Sequence, residues 1–201
     1  ELCYATSKYP DRDFTYRGVI ISNGDVGFEG RKLSERLAMT SNDHGSLVCV
    51  KGQWYIFYHR HTNKTCYSRQ GCAEKVEILA DGSIPQVEMT SAGLNDGALA
   101  AEGTYPAAIC CNLYNAKIWK KGHIPFVTCR DDERFVADLC DDAVMGYKYF
   151  AFDGKVTLTV TYRGQGSVSV CDETKTLGEL TLAPSVEWCK ASVEITEKGT
   201  H

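Results

Sequence analysis

The chain has 201 residues, 43% of them hydrophobic and 24% charged, which supplies a packed core for one or two domains and excludes wholesale disorder. A formal net charge of −4 and a pI near 5.8 exclude a basic face for nucleic acid or for an anionic membrane surface, and fit a neutral partner such as a sugar. No apolar run approaches the length of a membrane-spanning helix.

The predicted elements are strands from end to end. Eighteen Gly, eleven Tyr and only five Pro suit a turn-rich β protein. The chain opens inside a strand-like segment, Leu2-Cys3-Tyr4-Ala5-Thr6, with no Met and no targeting character, and so reads as a cut through a longer chain. Asp11 and Asp13 have the chemistry of turn residues. Ser46–Val50 and Gln53–His59 flank Lys51-Gly52, a hairpin signal. Asp81-Gly82, between Lys75–Leu79 and Ile84–Glu88, predicts a second hairpin with a type I′ turn, and Glu88 is expected to pair across a strand. Gly93-Leu94-Asn95-Asp96-Gly97 and Glu102-Gly103-Thr104-Tyr105-Pro106 are linker chemistry and set a domain boundary at 104/105. Beyond it, Tyr149–Phe152 is expected to turn at Asp153-Gly154 into Val156–Tyr162, and Gly164-Gln165-Gly166 to turn into Ser167–Val170. No segment has the period of an amphipathic helix, so the fold class is all-β.

The ten cysteines show no Cys-x-x-Cys pair and no Cys/His cluster with zinc spacing. The chain is long enough to do without a disulfide framework, so mostly reduced, buried thiols are expected, Cys49 among them. That leans toward a reducing compartment, while localisation itself stays unknown. Asn42-Asp43-His44-Gly45-Ser46 is the most informative stretch: a His among small polar residues at a strand entrance can point into a polar centre, or can be an ordinary loop His. His59 and His61 lie two apart and face one side of an extended strand, a spacing that can hold a metal but lacks an evident third ligand. Arg69 presents a fork of donors suited to sugar hydroxyls, or else pairs with Glu74 or Glu77 at the surface. Asp11, Asp13, Asp25, Glu74 and Glu88 are available carboxylates, yet none is singled out as half of the acid/base pair that glycoside hydrolysis requires. Lys117, Lys120 and Lys121 around Trp119 suggest an exposed loop or edge, whereas the alternation about Tyr147 fits a buried strand.

Several segments in order resemble glycoside hydrolase family 43. These are Leu2-Cys3-Tyr4-Ala5-Thr6-Ser7 with Phe14-Thr15-Tyr16-Arg17-Gly18, then Asn42–Ser46 with Gly52–Arg60, then Ser68–Glu74 with Asp81–Thr90. Val144–Phe150 and Tyr162-Arg163-Gly164 are similar to the family 6-like carbohydrate-binding sandwich found behind such propellers. The resemblance implies the last blades of a five-bladed β-propeller over residues 1–104, followed by a truncated β-sandwich over 105–201. It implies a fragment of an inverting β-xylosidase or α-L-arabinofuranosidase acting on xylo- or arabino-oligosaccharides from xylan. The catalytic carboxylates are then expected outside this chain, and a non-catalytic sugar-binding protein is the alternative. His44 resembles the residue that holds a calcium ion or ordered water at the propeller centre, and Arg69 resembles a residue of the substrate pocket. In the sandwich the resemblance makes Trp119 the best candidate aromatic platform for a sugar, ahead of Tyr147 and Trp188, with core packing of these rings, or a sandwich that only braces the propeller, as the alternative.

Overall fold

The structure is a computed structural model, and it describes residues 1–65, 67–115, 123–130 and 132–201. It is all-β, with strands over about half of the chain and only short 3-10 turns as helix. In chain order the strands are β1 (Leu2–Thr6), β2 (Thr15–Ile21), β3 (Gly45–Val50), β4 (Gln53–Arg60), β5 (Gln70–Val76), β6 (Leu99–Ala100), β7 (Asn112–Asn115), β8 (Phe126–Arg130), β9 (Glu133–Ala137), β10 (Ala143–Gly146), β11 (Phe150–Cys171) and β12 (Thr176–Thr200).

Two compact units result. One comprises 1–97 together with 105–148, the other 98–104 together with 149–201. The expected boundary at 104/105 therefore does not coincide with the division into units. The reason is visible in the hydrogen bonds that stitch 105–148 to the preceding chain. Arg60 donates to the carbonyls of Cys111 (2.6 Å) and Cys110 (2.8 Å), Leu113 N–H to Leu37 O (2.8 Å), and Val127 N–H to Thr62 O (2.7 Å).

In the first unit, β1 and β2 form an antiparallel pair, β3-β4-β5 an antiparallel meander, and β7/β10 and β8/β9 two further pairs. The Lys51-Gly52 hairpin is present between β3 and β4. Both residues have positive φ (50° and 85°), as a two-residue type I′ turn requires. Alternation along β4 sends Ile56 and Tyr58 into a core with Ile20, Ile21, Val76, Ile84, Met89 and Cys111, while Phe57 and His59 face the other way. A smaller core gathers Ala108, Cys110, Leu113 and Val127.

The second predicted hairpin does not form. β5 ends at Val76 and residues 77–88 carry no strand. Asp81 instead accepts from the Ser83 N–H (2.9 Å) and hydroxyl (2.6 Å), and only Gly82 has positive φ, so the turn is side-chain-capped rather than type I′. The following segment docks on the first strands: Ile84 N–H donates to Tyr4 Oη (2.8 Å) and Val87 N–H to Ile20 O (2.8 Å).

In the second unit, Asp153-Gly154 is not a turn. β11 runs through it in register with Glu197 and Lys198 of β12, because Gly154 adopts a φ of 121° inside the ladder. Gly164 and Gly166 mark register breaks within the same strand. There the ribbon bends back on itself, so that its tip meets its base. Lys175 Nζ lies 2.6 Å from Glu197, and a Cβ on Gly178 would stand 2.7 Å from Val193 Cγ2.

Candidate functional site

The register Gly45↔Tyr58 places His44, one residue before β3, beside His59 on β4. The two imidazoles stack with centroids 5.5 Å apart and planes at 19°, and His61 stacks on His59 at 5.3 Å and 12°. The spacing of two thus becomes a column of three rings. His44 is its exposed end, whereas His59 and His61 are 8% and 3% exposed. His59 Nε2 and both ring nitrogens of His61 have no partner among the described residues. Burial, His59 and Arg69 all hold His61 below the usual histidine pKa. Asp43 lies at the same end. Burial raises its carboxyl above the ordinary value, against the lowering by His59 and by nearby backbone N–H groups.

His44 and His59 open onto a cleft of about 690 Å³, lined also by Gly45, Ser46, Phe57, Tyr58, Gly71, Cys72, Ala73, Gly93 and Leu94. The lining is apolar with a few polar groups, and the cleft is open to solvent. Glycine at 45 is required by close approach, since a Cβ there would fall 2.1 Å from Phe57 O. On the opposite face of β4, the buried Arg60 guanidinium also donates to Cys72 Sγ (3.3 Å).

No described residue lining the cleft is a carboxylate. The buried carboxylates are engaged elsewhere in the unit. Glu74 accepts from Tyr58 Oη (3.1 Å), Thr90 N–H (2.8 Å) and Thr90 Oγ1 (2.6 Å), and burial pushes it up to about 7. The surface pair of Arg69 with Glu74 is thereby overturned, because Glu74 points into the core. Glu88 is not in a strand; it and Asp25 share Lys148 Nζ, at 2.6 and 2.9 Å, while Met89 N–H donates to Asp25 (2.7 Å). Burial raises Asp25 despite the ammonium beside it.

Arg69 is exposed and does not line the cleft; its charge acts on His61. Trp119 and the lysines around it lie outside the described residues. Tyr147 packs against the smaller core of the first unit, its hydroxyl donating to Ala107 O (3.1 Å). Trp188, in the second unit, is 37% exposed under the Arg163 guanidinium, 4.2 Å from its ring centroid. The nine described cysteines are free thiols, but only Cys110 and Cys111 are buried, and Cys49 is exposed. The expectation of buried thiols fails for most of them, and at Cys49 it fails because β3 is solvent-facing over most of its length. One group with metal-ligating spacing occurs among the described residues: Asp172, Glu197 and His201 of the second unit, where the Lys175 ammonium already neutralises Glu197.

The described site is thus an open cleft beside His44 and His59 on an all-β frame. No family model matches the chain. It is 41% identical over 214 residues to a protein of Thermoclostridium stercorarium named xylosidase/arabinosidase, which covers 97% of the chain and 45% of the relative. It is 34% identical over 89 residues to a β-xylosidase of Xylanibacter ruminicola, covering 43% of the chain and 24% of that relative. A solved structure, a glycoside hydrolase family 43 arabinoxylan arabinofuranohydrolase from Bacillus subtilis in complex with cellotetraose, is similar with a TM-score of 0.44 and 20% identity, over 99% of the chain and 42% of that protein. The identity to the first relative runs along nearly the whole chain, which makes the chain a relative of xylosidase/arabinosidase-type glycosidases, in agreement with the family resemblance of its sequence segments. It spans less than half the length of these relatives.

Proposed function

We propose that this chain forms part of a glycoside hydrolase that releases terminal xylosyl or arabinofuranosyl residues from xylan-derived oligosaccharides with inversion. The 41% identity to a xylosidase/arabinosidase along the chain carries this reading, and the cleft beside His44 supports it. Inverting hydrolysis needs one carboxylic acid to protonate the leaving oxygen and one carboxylate to activate water on the opposite face. The described cleft has neither, so the acid/base pair is assigned to parts of the protein outside this chain. Within the chain, His44 and Ser46 offer hydrogen bonds at the cleft, and Arg69 is assigned to the substrate side. A calcium ion at the His44 end would find a hard oxygen donor in Asp43, whose two carboxylate oxygens have no hydrogen-bond partner within the usual distance. His44 would supply one further donor, and the ion would hold the loop before β3 in place.

The test is turnover of nitrophenyl β-xyloside and α-L-arabinofuranoside, with the anomer formed first read by proton NMR. The whole enzyme should hydrolyse at least one of them with inversion, and the isolated 201-residue chain should hydrolyse neither. Turnover by the purified isolated chain would contradict the assignment of the carboxylates. The absence of carboxylates from the cleft also favours a second reading, a sugar-binding protein without catalysis. Binding of xylo-oligosaccharide by the whole protein with no turnover of any pentoside would select it.

A further inference from the structure

The exposed ring of His44 is held from behind by two buried rings: His59, which also borders the cleft, and His61, which does not. A lone imidazole at a strand entrance rotates about two side-chain torsions, so its direction depends on what packs against it. Here His59 covers one face of His44, and His61 covers the far face of His59. Arg60 cannot disturb the stack, because it points to the opposite face and is anchored on the carbonyls of Cys110 and Cys111.

We propose that His59 and His61 are positioning residues, an imidazole stack that fixes the ring of His44 at the cleft. The inference rests on the reading of that cleft as a glycosidase site. Three ring nitrogens of the buried pair make no hydrogen bond to a described residue, so the two rings are held by packing and stacking rather than by polar contacts. Positioning matters because a shift of about 1 Å in a substrate-contacting group can cost on the order of 100-fold in rate.

The experiment uses the whole enzyme with ¹⁵N-labelled histidine. His59→Leu removes the ring, His59→Phe keeps a stacking ring without nitrogens, and His61→Leu removes the lower support. The stack predicts that His59→Leu shifts the His44 ring resonances and lowers kcat at least ~10-fold, with KM changed by less than about 3-fold. His59→Phe should restore the His44 resonances and most of kcat, and His61→Leu should fall between. Wild-type His44 resonances and kcat in both Leu variants would overturn the inference. So would displaced His44 resonances in a folded His59→Phe protein, which decides the matter if the Leu variants do not fold. If His44→Ala keeps full pentosidase activity, or the wild type has none, the glycosidase reading of the cleft fails instead, while the resonances still report on the stack.

Discussion

At the residue scale, the buried ion sets are the groups most sensitive to change. Lys148 holds both Asp25, which is 1% exposed at its side chain, and Glu88. Lys148→Met should destabilise the first unit by about 3–5 kcal/mol, the scale for leaving buried charge unpaired, as read by urea denaturation. Glu74 predicts a pH dependence. Its folded pKa, about 7, lies above its ordinary value, so the folded state holds more protons than the unfolded state between about 4.5 and 7. The contribution of Glu74 to stability is thus fully present below that window and is lost as pH rises through it, at about 1.4 kcal/mol per pH unit. Glu74→Gln keeps acceptors for Tyr58 and Thr90 N–H, and its amide can donate to the Thr90 hydroxyl. Thermal melts of the variant should therefore lose this component of the decline between pH 5 and 7; a slope equal to wild type would show that Glu74 titrates normally. Neither set was legible in the sequence. Glu74, Asp25 and Glu88 are unremarkable carboxylates there, and only the crossing of β4, β5 and the segment around Met89 makes them partners.

At the element scale, local signals decided the outcome where nothing opposed them. Lys51-Gly52 turned β3 into β4, and the alternation of β4 placed His59 and His61 on one side, as their spacing implied. Asp81-Gly82 and Asp153-Gly154 carry equally good turn signals and failed for tertiary reasons. In the first case Ile84 and Val87 found partners on Tyr4 and β2, and in the second β12 offered a continuous ladder. The doubling-back of the β11–β12 ribbon was likewise hidden, because Gly164 and Gly166 read as a turn and act as a bend. It depends on a glycine at 178, because any Cβ there would run into the Val193 side chain. Gly178→Ala should cost about 1–3 kcal/mol by overpacking, and adding Val193→Ala should recover much of it. Additive losses in the double variant would show that the two stretches of β12 do not meet there.

At the scale of the whole molecule, the ordered family segments in the first ninety-five residues carried the family before any coordinates did, and the relatives bear it out. What composition could not convey was which residues fold together, since 105–148 joins the first unit only through contacts such as Arg60 with Cys110 and Cys111. The central claim is that the cleft at His44 belongs to the substrate site of a pentoside hydrolase. It is tested most directly by kcat/KM of His44→Ala in the whole enzyme, on nitrophenyl xyloside and arabinofuranoside. Loss of the ring's hydrogen bond, on the order of 1.5–3 kcal/mol, predicts a fall of at least ~10-fold on the preferred substrate with the melting temperature held. A value within about twofold of wild type would contradict it.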